Sequence, residues 1–178
     1  MVSDALSKKQ KALLRELEEL NELLGLDWRG IKQYERGART AHLERIKRHL
    51  IIGEVVMQYT LIDEHLNMQL CRHFFGRGRR FTKLWKTKKF KNFNYHLLEG
   101  LFLLQKLSYV KSFKPIPKHI TRSIEQINSL RNGLAHAFFP ENLKRSKPVY
   151  KGKGIFTIEG VQQFVGDMSE ISQFFIGI

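Results

Sequence analysis

At 178 residues the chain is long enough for one domain with a real core and too short for two comfortable ones. Hydrophobic residues make up 42% of it, with 13 Phe, which excludes a disordered chain. A formal charge of +14 and a pI near 10.0 make a polyanion the expected partner, since so large an excess raises its local concentration.

No apolar run reaches the roughly 18 to 20 residues that span a bilayer. Residues 1–10 lack the apolar stretch of a signal peptide. A cytoplasmic protein with no membrane partner is therefore expected. The single cysteine, Cys71, allows neither an internal disulfide nor a cysteine zinc cluster, and it reads as a buried, inert thiol.

Ser3 can cap a first helix, with Asp4 in its first turn and a stripe of Leu6, Leu13, Leu17, Leu20 and Leu24 for packing on other helices. Residues 27–40 read as a loop. Residues 41–75 carry the longest helical pattern, apolar on most sides between Leu50 and Ile62, which predicts a central buried helix. Ile52, Val56, Tyr59, Leu66 and Leu70 share a face, and Asp63 falls among them. A carboxylate there needs a partner.

Gly76-Arg77-Gly78 breaks this helix and opens the most basic segment: Arg77, Arg79, Arg80, Lys83, Lys86, Lys88, Lys89 and Lys91, with no acid among them. Phe81, Trp85, Phe90 and Phe93 are interleaved. Basic side chains track phosphates, and aromatic faces stack on unpaired bases. The competing reading is a solvated basic loop whose aromatics anchor it to the bundle.

A third helix is predicted over residues 93–113, with Leu97, Leu98, Leu101, Leu104 and Leu107 on its apolar side. Pro115 and Pro117 stop it and start a fourth, whose ridge is Ile120, Ile124, Ile127, Leu130 and Leu134. After Pro140 and a basic connector, residues 149–158 suit a short hairpin or an extended arm. Residues 160–175 return to a helical period through Val161, Phe164, Val165, Met168, Ile171 and Phe175. The expectation is one all-α domain, an up-and-down bundle of about five helices with a short β-hairpin before the last.

The fourth helix ends in Arg131-Asn132-Gly133-Leu134-Ala135-His136, which brings together residue types that a packing helix does not need. Histidine titrates near neutral pH and can move a proton when a ribose 2′-hydroxyl attacks the adjacent phosphate. Arginine stays charged, and its planar fork binds phosphate oxygens and stabilises developing negative charge. Asparagine can orient the phosphate or the hydroxyl. On an ideal helix Arg131 and His136 lie about 140° apart, too far for one compact site. Either Gly133 lets the helix deform, or two copies of the site converge across a two-fold axis.

This segment resembles the Arg-polar-x-x-x-His signature of the HEPN (higher eukaryotes and prokaryotes nucleotide-binding) family. Element order extends the likeness over residues 41–175 and leaves residues 1–26 outside it. The resemblance implies a HEPN-like bundle that dimerises with two Arg-His pairs facing one cleft. It implies a metal-independent RNA endonuclease leaving a 2′,3′-cyclic phosphate and a 5′-hydroxyl. Catalytic roles then fall to Arg131, His136 and Asn132, with Asp63 as the acid that orients Arg131. A structural Arg131–Asp63 ion pair is the bland reading of the same two residues. The biological role implied is that of a toxin or antiviral defence effector, with an antitoxin or regulatory protein as partner. Some members carry a tyrosine two residues after the histidine, where a nucleotidyltransferase modifies them. Here that residue is Phe138, so this control is not expected.

The remaining histidines are scattered without a carboxylate frame, so no metal is expected. Gly152-Lys153-Gly154 lacks the spacing of a phosphate-binding loop, so no nucleotide cofactor is expected. The rival to the nuclease is a non-catalytic HEPN-like dimer that binds RNA or protein.

Overall fold

The computed structural model describes residues 38–76, 81–136 and 148–176, together with residues 8, 18, 20, 24, 32 and 35; the side chains of Phe81, Thr82 and His136 fall outside this set. The chain forms two compact units, Met1–Leu50 and Ile51–Ile178. In the first unit, the Leu24 N–H donates to the Leu20 carbonyl at 2.9 Å, and both side chains are exposed. Leu6, Leu13 and Leu17 of the predicted stripe lie outside the described residues.

Among the described residues the helices are α1 Arg39–Phe75, α2 Phe81–Leu84, α3 Lys88–Phe93, α4 Leu103–Phe113, α5 Lys118–His136 and α6 Ile158–Ile176. A short hairpin, β1 Val149–Tyr150 and β2 Lys153–Gly154, precedes α6. The second unit is thus an all-α bundle with one antiparallel hairpin. Its core joins Val55, Ile62, Leu66 and Leu70 of α1 to apolar seams from α4, α5 and α6.

Helix α1 is apolar around much of its circumference but is covered on one side. Val55, Ile62, Leu66 and Leu70 are buried, whereas Val56, Met57, Leu61 and Met68 are exposed. The expected central helix is thus buried along one side in a core shared with α4, α5 and α6, whereas Val56, which spacing placed on that face, is exposed. On α5 the ridge Ile120, Ile124, Ile127, Leu130 and Leu134 is buried throughout, as its spacing predicts.

The predicted third helix is interrupted. Residues 94–98 form a π-helical turn closed by the Glu99 N–H on the Asn94 carbonyl at 2.9 Å. The chain then turns, and α4 restarts at Leu103, where Gln105 Oε1 accepts from the Phe102 N–H at 2.8 Å. Gly100 sits in the turn because a Cβ there would lie 3.0 Å from the His96 carbonyl oxygen. The restart changes register: α4 buries Leu103, Leu107 and Val110 and leaves Leu104 exposed.

The hairpin turns through Lys151 and Gly152, both at positive φ (47° and 81°), which suits a two-residue connection. It is tied to the bundle by the buried Tyr150 and Asp167 together with the more exposed Lys151. The Tyr150 hydroxyl donates to Asp167 Oδ2 at 2.5 Å, and Lys151 Nζ lies 2.6 Å from the same oxygen. Lys151 Nζ also donates to Ser123 Oγ of α5 at 3.1 Å. Burial, and then the bond to Asp167, push the Tyr150 hydroxyl well above its usual pKa, so it stays a donor. This network fixes β1, α5 and α6 together two turns upstream of Arg131.

Candidate functional site

Helix α5 carries Arg131 and Asn132 out of its buried ridge. Leu130 and Leu134 hold the last two turns on the core, so the residues between them project away from it. Arg131 is exposed. Its guanidinium carbon lies 5.2 Å from the ring centroid of Tyr59 on α1, a cation–π placement, and Nη1 donates to Asn132 Oδ1 at 3.2 Å. Tyr59 feels both neighbouring charges. Burial raises its pKa, Arg131 lowers it, and Asp63 raises it.

It is Lys106, not Arg131, that takes up the Asp63 carboxylate. Lys106 Nζ donates to both oxygens, at 2.8 and 2.7 Å, and Asn67 Nδ2 adds a third bond at 3.2 Å. The Lys106 side chain is 4% exposed, so the charge on Asp63 is matched from within the bundle. Arg131 consequently has no carboxylate partner among the described residues, and its outer edge faces solvent. Sequence reasoning missed Lys106. Its signal was a lysine between Leu103, Leu107 and Val110, hidden by the misplaced helix register.

Helix α5 continues unbroken to His136. Gly133 lies within the helical span, and a Cβ at that position would meet nothing within 4 Å. The ideal-helix divergence of about 140° between positions 131 and 136 is therefore the expectation that stands for this pair. The His136 side chain itself lies outside the described residues.

The second candidate surface is the basic segment. Arg77, Arg79 and Arg80 lie outside the described residues, while Lys83, Lys86, Lys88, Lys89 and Lys91 are all exposed. Two buried anchors hold them outward, Leu84 and Phe90. Thr87 caps α3, accepting from the Phe90 N–H at 3.2 Å and donating to the Leu84 carbonyl at 2.8 Å. The aromatics differ in burial: Phe90 is an anchor in the core, whereas Trp85 is 63% exposed.

Among the described residues no group of three His, Cys, Asp or Glu side chains is placed to hold a metal ion, and no helix is long and apolar enough to cross a membrane. Set against known protein families, characterised proteins and solved structures, the chain matches none.

Proposed function

We propose that the chain is a metal-independent RNA endonuclease of HEPN type that acts as a homodimer with its active site at the interface. The observation that carries this reading is the state of Arg131. Its guanidinium is braced on Tyr59, joined to Asn132, exposed, and without a carboxylate partner among the described residues, where Lys106 occupies Asp63. An arginine kept for a structural ion pair would sit on that acid. One kept for phosphate is held on an aromatic face with its donors outward.

The chemistry needs no metal. An imidazole of His136 accepts the 2′-hydroxyl proton as O2′ attacks phosphorus. The P–O5′ bond breaks, and the leaving O5′ takes a proton from an imidazolium, giving a 2′,3′-cyclic phosphate and a 5′-hydroxyl. Arg131 holds the phosphate oxygens as charge develops on them, and Asn132 fixes their orientation. Two copies of α5 meeting across a two-fold axis would bring Arg131 of one against His136 of the other. The open space beside Gly133 leaves room for that approach. The lysine-rich segment gathers RNA, in keeping with a charge of +14. In the cytoplasm such an activity suits a toxin or antiviral defence effector restrained by an antitoxin or regulatory protein.

The test is cleavage of end-labelled RNA in excess EDTA by wild type, His136→Ala and Arg131→Ala. Each variant is expected to lose about 10²- to 10⁴-fold in rate while staying folded and bound to RNA. Wild-type rates in His136→Ala would end the proposal. The rival, a non-catalytic RNA- or protein-binding dimer, draws on the divergence of positions 131 and 136 that an ideal helix imposes. It expects salt-sensitive RNA binding without any cleavage.

A further inference from the structure

The end of α1 and the α2–α3 segment enclose a cleft of about 240 Å³ lined by Phe74, Phe75, Leu84, Thr87 and Lys89. That is below the roughly 300 Å³ at which drug-sized ligands are enclosed, and it suits a single ring system. Phe74 is 53% exposed, although its edge packs on Phe93 at 5.3 Å. Lys89 Nζ stands 5.8 Å over the Phe75 ring, and no ion pair to it is formed among the described residues. Phe90 links this cleft to Trp85, packing on the Phe75 ring at 5.7 Å and stacking with Trp85 at 5.7 Å and 20°. The outer face of Trp85 is left to solvent.

Two exposed aromatic rings, Phe74 packed on Phe93 and Trp85 stacked on the buried Phe90, are therefore ringed by lysines. No acidic residue occurs between Gly76 and Glu99. A protein-docking face of this apolar content needs no such one-signed charge. A duplex supplies phosphates but keeps its bases stacked on each other. A single strand supplies both phosphates and free ring faces.

We propose that this cleft is a binding site for an unpaired base of single-stranded nucleic acid, with the adjoining base stacked on Trp85 and the flanking phosphates on Lys86, Lys88 and Lys89. It rests on the ribonuclease reading only in taking that strand to be RNA. The site lies apart from Arg131. From Tyr59 to Phe74 is fifteen residues of α1, roughly 22 Å at 1.5 Å per residue. The bases held here are thus several nucleotides from a phosphate bound at Arg131.

The experiment uses the full chain with Trp28→Phe, which leaves Trp85 as the sole tryptophan. Its emission is followed during titration with an oligouridylate of about a dozen nucleotides, a duplex of equal length, and polyphosphate. Single strands are expected to quench Trp85, and polyphosphate to bind without quenching. Separately, Trp85→Ala is expected to weaken single-strand binding about tenfold and to leave polyphosphate binding unchanged. Lys89→Ala is expected to weaken both. Trp85 is largely exposed, so its replacement does not threaten folding, and the quenching result stands without any cleft variant. Equal quenching by polyphosphate, or single-strand affinity unchanged in Trp85→Ala, would overturn the proposal and return the aromatics to packing or protein contact. Quenching without cleavage by wild type would leave this site standing and remove only the nuclease.

Discussion

Replacing Lys106 by Met tests both the stability of the bundle and the availability of Arg131. The Lys106 side chain is 4% exposed and its ammonium is bonded to both oxygens of Asp63, whose side chain is 26% exposed. Removing one partner of a buried pair costs about 3–5 kcal/mol when the survivor is left fully buried. Asp63→Asn strands the buried ammonium, so it is expected near that range. Lys106→Met strands a carboxylate that keeps water on one side and the Asn67 amide on another, so about 1–2 kcal/mol is expected. The double replacement Asp63→Leu with Lys106→Met removes both charges and is expected to be close to neutral.

Function separates the same variants in a second way. In the proposed nuclease an unmatched Asp63, one turn from Tyr59 on α1, would compete with phosphate for the guanidinium that rests on Tyr59. Lys106→Met is then expected to cleave RNA about tenfold more slowly, a loss of roughly 1.4 kcal/mol. Adding Asp63→Asn to it is expected to restore most of that rate although the protein remains destabilised. Urea unfolding gives the stabilities, and initial rates at limiting substrate give the activities. Equal destabilisation by the two single variants would refute the burial argument. Wild-type cleavage by Lys106→Met would refute the competition for Arg131.

Gly160→Ala is expected to cost about 2–3 kcal/mol in urea unfolding, because its Cβ would fall 2.1 Å from the Gly154 carbonyl oxygen, and backbone cannot yield cheaply there. Gly133→Ala meets open space and should raise the melting temperature by the equivalent of about 0.5–1 kcal/mol; if α5 meets a second copy there, sedimentation should show weaker dimers and the cleavage rate should fall. His65 is buried and stacked on Phe175 at 5.6 Å, and burial lowers its pKa from 6.5 against a smaller opposing pull from Glu64. The unfolded chain therefore binds the extra proton first, so stability is expected to fall as pH drops below about 6.5, and His65→Phe should lose that part of the slope in unfolding measured across pH 5 to 8.

The α5 ridge was legible in the sequence because its five aliphatic residues recur at threes and fours and all meet one core. The hairpin was legible because β-favouring residues flank two glycines. The α3–α4 region was not, since leucines at 97, 98, 101, 103, 104 and 107 satisfy a helical period through a stretch where the backbone turns. The break is written in weaker signs, Gly100 and the Gln105 side chain reaching back to Phe102. Losing that register also lost Lys106, and with it the partner of Asp63. Asp167 carries the same legible sign as Asp63, an acid between Phe164, Met168 and Ile171 on a buried face. On the surface, sequence named the lysines but could not say which aromatics turn inward, because burial of Phe90 and exposure of Trp85 depend on how α3 is capped and seated.

The two proposed surfaces constrain each other. A nucleotide at Arg131 and a base in the Phe74–Lys89 cleft are separated by roughly 22 Å of α1, so a dinucleotide can reach one and not both. If stacking at the cleft is realised before chemistry, its binding energy serves to hold the strand and lowers KM without changing kcat. Trp85→Ala should then raise KM on long single strands and leave kcat alone, while a dinucleotide should be cleaved equally by wild type and variant. A fall in kcat with KM unchanged would mean instead that the strand is drawn taut between the two sites, with stacking energy used in the transition state. Arg131→Ala should lower kcat on both substrates, because its charge acts at the phosphate whichever length of strand is bound.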